Sequence, residues 1–479
     1  MGKPDFDLIV IGAGSAGLGA SLVPAKFGLK VLQIVKTDHD VGGECLNDGC
    51  VPSKALIHLS KVAYQARETG TFGLQVSGSI DIDKVTRYVK NSQTIIRKHE
   101  NAKWLEEQGV TVVLGTAKFH SKNAIEVNGE IYTGKYIIIA TGSRPIALDV
   151  PGAELVVSLN NESIFHIDDL PQKLLVVGAG PIGIELGQAF HRLGSQVTFI
   201  QRGGGILPHE DPAISDVLKD RLEAEGIEFK MNSSVDHFPD AKKAIIKSGD
   251  GSLSSVSFDA VLVAIGRKIE LAPLSLEKAG IKTENGKIKV DHYLRTTNPK
   301  VFVAGDIAGS LIFSHAAEQH VRLLMNNFFS PFKKKLNNDY MSWVTFTDPE
   351  VATFGLNEKE LVKRKTSYKR LEMDFKDDDR AITDSYRYGK LILFITRGSL
   401  FKKKVILGGS MAAPNAGEMI QELILANYAK LDISRILNKV YPYPVSSRVN
   451  QKILTDDYAA NLTETLKKLL RFLFGKFIF

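Results

Sequence analysis

Residues 7–17 read DLIVIGAGSAG, a short apolar run that leads directly into a glycine-rich turn. The run predicts a buried strand of a parallel sheet, and residues 14–27 after it predict a helix. The turn has the spacing GxGxxG, in which the first glycine permits a tight turn, the second lets the backbone approach a pyrophosphate, and the third allows close helix–strand packing. The helix N-terminus offers N–H groups to a diphosphate. The predicted dinucleotide contacts are Gly12, Gly14, Ser15, Ala16 and Gly17.

The same pattern recurs at residues 173–183, which read KLLVVGAGPIG. A helix is predicted near 181–193 and a strand at 196–200, just as a strand at 30–35 follows the first helix. One GxGxxG turn is a weak signal, but two in the same strand–helix context are far more specific. The pattern therefore predicts an α/β fold with two doubly wound, Rossmann-like nucleotide-binding halves. The second set of predicted contacts is Gly178, Gly180, Pro181, Ile182 and Gly183.

The second strand of the first half ends without the acidic residue that usually hydrogen-bonds a nucleotide ribose. Val35 and Lys36 stand at this position, and neither is acidic. Asp38 and Asp40 lie a little further along the chain. Both alternatives stay open: an aspartate that replaces the usual acid, or a ribose bound without one.

The corresponding position in the second half favours NADPH over NADH. It holds Gln201 followed by Arg202. An uncharged residue followed by arginine suits a ribose 2′-phosphate better than a free ribose, because a guanidinium group binds phosphate through paired N–H donors. NADPH is therefore the predicted nicotinamide cofactor, with NADH as the alternative.

Length and composition predict an ordinary multidomain globular protein. The 479 residues suggest about three domains, and 44% hydrophobic with 24% charged residues is a typical globular mixture. The net charge of +7 is spread along the chain, which argues against nucleic-acid binding. No apolar run reaches the ~20 residues that span a bilayer, and the first strand begins too early for a secretory signal. We therefore expect a cytoplasmic protein.

Strands and helices divide the chain into segments. Further buried strands are predicted within 136–145, 260–267 and 301–306. From about residue 340 the pattern changes to alternating strands and one long helix near 416–429. The predicted segments are 1–150 and 271–338 for the first nucleotide-binding domain, 151–270 for the second, 339–460 for an α+β interface domain, and 461–479 for a basic tail.

The only two cysteines of the chain lie in residues 42–54, which read GGECLNDGCVPSK. They could be small buried hydrophobic residues, but a zinc site would need four ligands, and two cysteines cannot form a disulfide scaffold. Their closeness in sequence, directly after a nucleotide-binding unit, instead indicates a redox-active pair. We predict no resident metal.

In these motifs the chain resembles the pyridine nucleotide–disulfide oxidoreductases, which include dihydrolipoamide dehydrogenase, glutathione reductase and mercuric reductase. The resemblance covers nearly the whole chain and is carried, in the family's order, by GAGSAG, GGECLNDGCVPSK, ATGSRP, GAGPIGIELG, VAIGR, VFVAGDIAG and FTDPEVATFG. It implies an FAD domain, an inserted NAD(P)H domain, and a C-terminal interface domain that makes a homodimer.

The resemblance also implies roles for individual residues. Cys45 matches the interchange thiol that faces the acceptor, and Cys50 matches the charge-transfer thiol beside the flavin. Lys54 matches the lysine near the flavin, and Glu185 matches its ion-pair partner. The other residues expected to contact cofactor are Gly43, Glu44, Ala117, Thr141, Gly142, Ser143, Arg144, Gly266, Arg267, Gly305, Asp306, Ile312, Phe313, Ser314 and His315.

The stretch 441–451, YPYPVSSRVNQ, departs from the family's disulfide reductases. Tyr443 stands where they carry the histidine that protonates a departing thiolate, and Arg448 stands at the position of its glutamate partner. A tyrosine with a pKa near ~10 is a poor proton shuttle at neutral pH. Mercuric reductases are similar in placing a tyrosine here, although this chain lacks their additional cysteines. The alternative interpretation of Tyr443 is a packing residue at an interface.

Residues 461–479 predict a basic amphipathic helix. Its apolar positions are Leu462, Leu466, Leu469, Leu470, Leu473 and Phe477, and its basic ones are Lys467, Lys468, Arg471 and Lys476. Such a segment can lie on a membrane surface. The alternative is a helix packed on its own domain or on its dimer mate.

Three functional hypotheses follow from the sequence. The first is an FAD-dependent NAD(P)H oxidoreductase that passes electrons through Cys45 and Cys50 to an unidentified acceptor, which is a small molecule, a disulfide or a metal ion. The second is a reductase of soft metals or small oxidants, similar to mercuric reductase. The third is a non-catalytic flavoprotein scaffold.

Overall fold

The computed structural model describes residues 3–397, 403–460, 462 and 464–476. The chain forms two compact units. The first contains Met1–Gly204 and Ile227–Asn337, and the second contains Gly205–Gly226 and Asn338–Phe479. In the described part of the chain, no helix is long and apolar enough to cross a membrane.

The first segment builds a parallel sheet with the strand order β3-β2-β1-β6, to which β5 and β4 add an antiparallel edge. Its central strands are buried on both faces, as their continuous apolar runs predict. The elements are β1 (Phe6–Ile11), α1 (Ser15–Lys26), β2 (Val31–Val35), α2 (Gly43–Asn47), α3 (Cys50–Glu68), α4 (Ile82–Arg97), α5 (Ala102–Glu107), β3 (Thr111–Leu114), β4 (Lys118–Ser121), β5 (Ala124–Val127), β6 (Glu130–Ile139) and β7 (Arg144–Pro145).

The second segment contains another parallel sheet, of order β11-β10-β9-β15-β8, and a small antiparallel sheet of β12, β13 and β14. Its elements are β8 (Ser158–Leu159), β9 (Lys173–Val177), α6 (Pro181–Leu193), β10 (Gln196–Ile200), α7 (Pro212–Glu225), β11 (Glu228–Lys230), β12 (Ser233–Asp240), β13 (Lys243–Ser248), β14 (Leu253–Ser257), β15 (Ala260–Val263) and β16 (Arg267–Lys268). Helix α7 belongs to the second compact unit.

The chain then returns to the first sheet. Strand β19 pairs with β6 in parallel, and the helix that follows packs beside α1. The elements of this part are β17 (Thr283–Glu284), β18 (Lys287–Ile288), β19 (Val301–Val303) and α8 (Ser314–Phe329).

The last segment is an antiparallel sheet of order β20-β21-β24-β23-β22 with helices around it. Helix α7 packs against this sheet within the second unit. The elements are β20 (Ser342–Thr345), β21 (Glu350–Gly355), α9 (Glu358–Lys363), β22 (Tyr368–Asp374), α10 (Asp379–Thr383), β23 (Lys390–Thr396), β24 (Ile406–Ala413), α11 (Ala416–Met419), α12 (Gln421–Tyr428), α13 (Ser434–Leu437), α14 (Val449–Ala460) and α15 (Glu464–Lys476).

The predicted fold class is confirmed: two Rossmann-like parallel sheets are followed by an α+β domain. One element differs from its prediction. The single long helix expected near 416–429 is two helices, α11 and α12, that meet at Ile420. The backbone of Ile420 has a φ of −85° and a ψ of −4°, which is flatter than an α-helix, so the regular helix is interrupted there although the chain continues in the same sense.

Candidate active site

The first glycine turn has no room for a side chain at Gly12 or at Gly17. A Cβ atom on Gly12, whose φ is +99°, would lie 2.3 Å from the carbonyl oxygen of Ala140. A Cβ atom on Gly17 would lie 1.7 Å from the oxygen of Gly12. Helix α1 begins after Gly14 without a side-chain cap and without an acidic residue in its first turn. The turn therefore presents backbone N–H groups of the kind that bind a diphosphate, and it fits the pyrophosphate of FAD.

A second loop lies against this turn. Gly43 has a φ of +59°, and a Cβ atom on it would lie 2.5 Å from the Cα of Gly14. The close approach brings the start of α2, with Glu44 and Cys45, next to the predicted pyrophosphate site. The two glycines thereby link the nucleotide turn to the thiol segment.

The two aspartates considered as ribose ligands both accept hydrogen bonds from the protein itself. Asp38 Oδ1 accepts a bond of 2.7 Å from the backbone N–H of Ala102. Asp40 Oδ2 accepts bonds from the N–H and hydroxyl of Thr37 at 3.0 and 2.7 Å. Lys36 is exposed at the end of β2. In this half, both carboxylates help to hold the local chain.

Gln33, a buried residue that the sequence reasoning missed, stabilises the turn by hydrogen bonds to its backbone. Its side-chain N–H group donates to the carbonyl oxygen of Gly12 at 2.8 Å and to that of Val10 at 3.3 Å. The available signal was the one polar residue inside the apolar strand VLQIV. Buried amides need such partners, because an unpaired polar group in the core is costly.

Cys45 and Cys50 are both free thiols, and they hydrogen-bond to each other. The Cys45 thiol lies on α2, and Cys50 is the first residue of α3. This mutual bond lowers the pKa of Cys50 to about 6 and raises the pKa of Cys45. Cys50 is therefore the thiolate of the pair at neutral pH.

The surroundings of Cys50 favour a negative charge on its sulfur. Ser314 Oγ lies 3.5 Å from Cys50 Sγ and also lowers the pKa of Cys50. Cys50 begins helix α3 and Ser314 begins α8, and neither helix has a side-chain cap at its N-terminus. Two positive helix ends thus meet near one sulfur atom. Ser314 was predicted only as a cofactor contact, and the structure adds its contact with the thiol.

The two thiols differ in accessibility because of their local backbone. Cys45 lies inside the short helix α2 and is partly exposed, while Cys50 follows Gly49 at the open start of α3 and is exposed. The assignment of Cys45 as the acceptor-facing thiol stays a prediction.

Lys54 and Glu185 come together as the motifs implied. Lys54 Nζ lies 2.8 Å from Glu185 Oε2, across the contact of α3 with α6. Glu185 is buried and Lys54 is half-buried. Lys54 follows Cys50 by one helical turn, and its positive charge contributes to the lowered pKa of Cys50.

Four residues that are distant in sequence form one polar network beside the thiols. The Arg267 guanidinium pairs with the Glu44 carboxylate through two N–H groups. Arg267 Nε also donates to Ser143 Oγ at 2.7 Å, and the Ser143 hydroxyl donates to Asp306 at 2.6 Å. Burial raises the pKa of Glu44, and the charge of Arg267 opposes this. Asn161, which the sequence reasoning missed, donates to Glu44 at 2.8 Å.

His320 is a second buried residue that the sequence reasoning missed. Its Nδ1 accepts a hydrogen bond of 3.1 Å from the N–H of Gly305, directly before Asp306. Burial lowers the pKa of His320 to about 4, so the ring is neutral. It thus holds the turn that carries Asp306. A single histidine on an otherwise ordinary helix gave no signal of this role.

The second glycine turn repeats the geometry of the first. A Cβ atom on Gly178 would lie 2.5 Å from the oxygen of Ala264, and one on Gly183 would lie 2.3 Å from the oxygen of Gly178. Helix α6 begins after Gly180 with Pro181 in its first turn. Gln201 Oε1 accepts a bond of 3.3 Å from the N–H of Ala179, and the next residue, Arg202, is exposed.

The remaining predicted contacts lie at various depths. Ala117 is buried, Gly142 and Gly266 have positive φ angles, and the Phe313 and His315 rings stack with their centroids 5.2 Å apart. Arg144 forms an ion pair with Glu162 at 3.3 Å. The other three side chains are exposed: Thr141, Ile312 and Ile182.

Tyr443 belongs to the second unit, where its side chain is 67% exposed. Its hydroxyl donates to Asp379 at 3.0 Å, and this carboxylate raises the pKa of Tyr443. The Arg448 guanidinium lies over the Tyr443 ring, 5.3 Å from its centroid. The hydrogen bond to Asp379 and the negative charge of Asp379 both keep the proton on the tyrosine at neutral pH.

The fold and the site combine two glycine turns of the dinucleotide-binding type with a pair of adjacent free thiols. Residues 6–321 match the pyridine nucleotide-disulphide oxidoreductase family, and residues 341–453 match its dimerisation domain. The chain belongs to this family.

Several known proteins are similar over nearly the full chain. A mercuric reductase of Bacillus cereus is 31% identical over 92% of this chain and 70% of its own length. A dihydrolipoyl dehydrogenase of Thermus scotoductus is 33% identical over 92% of this chain and 95% of its own length. The structure of the HOCl-induced flavoprotein disulfide reductase RclA from Escherichia coli has the same fold, with a TM-score of 0.83, 23% identity, and coverage of 94% of this chain and 99% of that one.

Family membership establishes the general class of the protein. It is an enzyme of the flavoprotein disulfide oxidoreductase class, whose cofactors are FAD and NAD(P)H. The dimerisation domain supports a homodimer.

Proposed function

We propose that this protein oxidises NAD(P)H and passes two electrons through the Cys45–Cys50 pair to an acceptor other than lipoamide or glutathione disulfide. The observation that carries the proposal is the thiol pair itself. The two thiols are hydrogen-bonded, and Cys50 lies where two helix N-termini and Lys54 favour a thiolate. Such polarisation is typical of reactive cysteines, whereas a structural cysteine is inert. It also favours the enzyme over a non-catalytic scaffold.

The residues that would hold FAD belong to three parts of the first unit. The glycine turn of Gly12 and Gly17 would receive the pyrophosphate, Ser143 and Asp306 would lie along the flavin side, and Lys54 would lie near the ring. When bound, FAD supplies a carrier that takes hydride from the nicotinamide and transfers two electrons to a disulfide.

The chain's own residues provide the exchange chemistry. Reduction of the Cys45–Cys50 disulfide breaks the S–S bond, consumes two electrons and one proton, and leaves a thiolate on Cys50 and a thiol on Cys45. Lys54 balances the negative charge on Cys50, and the hydrogen bond from Cys45 stabilises it. Re-formation of the S–S bond passes the two electrons to the acceptor and releases the proton of the Cys45 thiol.

Tyr443 supports an acceptor that needs no proton from the interface domain. Its pKa is raised by Asp379, and Arg448 replaces the acidic partner found in the family's disulfide reductases. A reduction that releases a thiolate leaving group would therefore lack an efficient general acid.

A panel of acceptors tests this proposal. The purified holoenzyme would be supplied with NADPH and, in turn, lipoamide, glutathione disulfide, a soluble quinone and Hg²⁺ bound to excess thiol. We expect slow turnover with both disulfides and faster turnover with another acceptor. Loss of that faster turnover in Cys50→Ser would support the route, while rapid lipoamide or glutathione reduction would contradict it.

A second candidate is a soft-metal reductase. The observations that favour it are two free thiols within bonding reach of each other and the similarity to proteins named mercuric reductase. Thiolates prefer soft metal ions. In the panel, this candidate predicts that NADPH consumption is fastest with Hg²⁺.

NADPH is the proposed nicotinamide cofactor. Gln201 accepts a hydrogen bond from the backbone of the second glycine turn. The exposed Arg202 follows it, and the loop 201–205 contains no acidic residue. A guanidinium at this position suits a 2′-phosphate.

The C-terminal helix α15 is proposed to contact a membrane surface. The exposure of its described apolar side chains supports a contact beyond its own chain: Leu469, Leu470, Phe472, Leu473 and Phe474. Lys467, Lys468 and Arg471 lie on the opposite side of the helix, as α-helical spacing requires. Phe477 and the side chain of Leu466 lie outside the described residues. Deletion of residues 461–479 should weaken binding of the protein to anionic liposomes, and unchanged binding would refute this contact.

A further inference from the structure

An aromatic surface lies at the far end of the helix pair α1 and α8, away from the nucleotide turn. The two helices run side by side: near their beginnings, Ala16 of α1 and Ala317 of α8 both lie beside Gly305. At their ends the Phe27 and Phe329 rings meet, with centroids 5.1 Å apart. Since α1 has 12 residues, these ends are about 18 Å from the glycine turn.

The loop that follows α8 displays one more aromatic residue. Phe332 is 82% exposed, and Phe27 and Phe329 are 64% and 49% exposed. Single exposed apolar residues are common on protein surfaces, but neighbouring large aromatic side chains with this exposure form a patch. We call Phe27, Phe329 and Phe332, with Lys26, Lys334 and Lys335, the Phe332 surface.

The Phe332 loop is held in place by its own hydrogen bonds. Buried Asn327 exchanges two bonds with the backbone of Lys334, of 2.7 Å to its N–H and 2.9 Å to its carbonyl oxygen. The N–H of Phe332 donates to Ser330 Oγ at 3.1 Å, and the Lys333 ammonium donates to carbonyl oxygens at the end of α8. The loop thus fixes its backbone while it leaves the Phe332 ring in water.

The charges around these rings have one sign. Lys26, Lys334 and Lys335 are exposed. Residues 8–37 and 319–338 contain no aspartate or glutamate. The one acidic residue of α8, Glu318, lies near its beginning and pairs with Arg322, so the ends of the two helices and the loop carry no acidic group that offsets these lysines. Exposed rings flanked by lysines are the pattern of an interfacial membrane contact, in which the rings enter the headgroup region and the ammonium groups meet anionic lipids.

We propose that the Phe332 surface docks on an anionic lipid membrane, independently of the C-terminal helix α15. Pairing of this surface with a second copy of itself would bring lysines against lysines, which charge complementarity disfavours. An anionic membrane satisfies both the rings and the lysines. The docked surface would leave the nucleotide turn, at the other end of α1, open to its cofactor.

Vesicle co-sedimentation of the full-length holoenzyme tests the proposal. Vesicles of phosphatidylcholine alone would be compared with vesicles that also contain phosphatidylglycerol. We expect binding only to the anionic vesicles and weaker binding at high salt. Phe332→Ser should weaken binding on the order of tenfold, because serine cannot make the apolar contact with lipid that the exposed phenylalanine ring makes. Lys334→Gln/Lys335→Gln should weaken it about fivefold per lysine.

Matched controls separate this surface from general surface effects and from α15. Phe72→Ser removes an equally exposed ring elsewhere in the same unit, and Lys278→Gln/Lys282→Gln removes two exposed lysines outside the surface. Both controls should bind like the unmodified protein. The loss caused by Phe332→Ser should persist when Lys467, Lys468 and Arg471 of α15 are changed to glutamate.

Three results would overturn the proposal. The first is equal binding of Phe332→Ser and the unmodified protein to anionic vesicles. The second is a Phe332→Trp variant whose added fluorescence is not quenched by lipids labelled within the bilayer. The third is dissociation of the homodimer by Phe332→Ser in sedimentation velocity, which would assign the surface to a second copy of the chain.

Discussion

Cys50 is the residue on which the chemistry depends, because its sulfur carries the negative charge. A hydrogen bond from Cys45, a contact with Ser314, and the charge of Lys54 all stabilise its thiolate. The motifs predicted the two thiols and the lysine. The contribution of Ser314 could not be predicted, because it depends on how α8 meets α3 across more than 260 intervening residues.

The lowered pKa of Cys50 predicts its reactivity. In the reduced protein, the rate of Cys50 alkylation by iodoacetamide should rise with pH about a midpoint near 6 and level off above it, because only the thiolate reacts. Mass spectrometry of the labelled peptide would follow this rate from pH 4 to 10. Cys45→Ala removes the largest stabilising contact, so its midpoint should move toward the ordinary value of about 8.5. A midpoint near 8.5 in the unmodified protein would contradict the assignment.

Arg202 is expected to select the nicotinamide cofactor. Arg202→Glu should raise KM for NADPH about tenfold or more and leave KM for NADH nearly unchanged, because it removes a charge-assisted bond worth about 1.5–3 kcal/mol and adds a repulsive charge. Steady-state kinetics with both cofactors would measure this. Lys243→Glu, at another exposed lysine of the same unit, is the control and should change neither value. Equal effects on NADPH and NADH would show that Arg202 does not contact the 2′-phosphate.

At the scale of elements, periodicity predicted most strands and helices closely. The strands after which both glycine turns begin lie at Phe6–Ile11 and Lys173–Val177, near the predicted 7–11 and 173–177. Apolar runs bounded by glycines fix such elements locally. The interruption at Ile420 could not be predicted, since an isoleucine stands there and the nearby Gly417 lies inside the regular helix α11. The partners of Asn161 and His320 were missed for a related reason: they depend on which segments meet in space.

The glycine turns should respond unequally to an added methyl group. Gly17→Ala places a Cβ atom against the oxygen of Gly12, so it should destabilise the protein by about 1–3 kcal/mol and release FAD. Flavin absorbance retained after desalting and thermal unfolding would measure both effects. Gly180→Ala is the control, because its Cβ atom would have no neighbour within 4 Å. It should keep FAD and the folded structure. Full FAD retention in Gly17→Ala would contradict the proposed site.

At the scale of the whole molecule, the sequence predicted the fold class because several motifs occur in one order along the chain. The family comparison confirms that class and the dimerisation domain. Domain limits are less directly encoded. Helix α7 lies in the segment 151–270 that was predicted as the second nucleotide-binding domain, but its packing groups it with the C-terminal sheet. The replacement of the family's histidine and glutamate by Tyr443 and Arg448 is visible in the sequence. The contact with Asp379, which raises the pKa of Tyr443, is visible only in the structure.

The most direct test of the electron route is differential alkylation of the oxidised holoenzyme under anaerobic conditions. One equivalent of NADPH should convert the Cys45–Cys50 disulfide into two thiols, so that both cysteines become labelled in the same molecules. Without NADPH, neither should be labelled. If NADPH bleaches the flavin while both cysteines stay unlabelled, the electrons do not pass through this pair and the central claim is wrong.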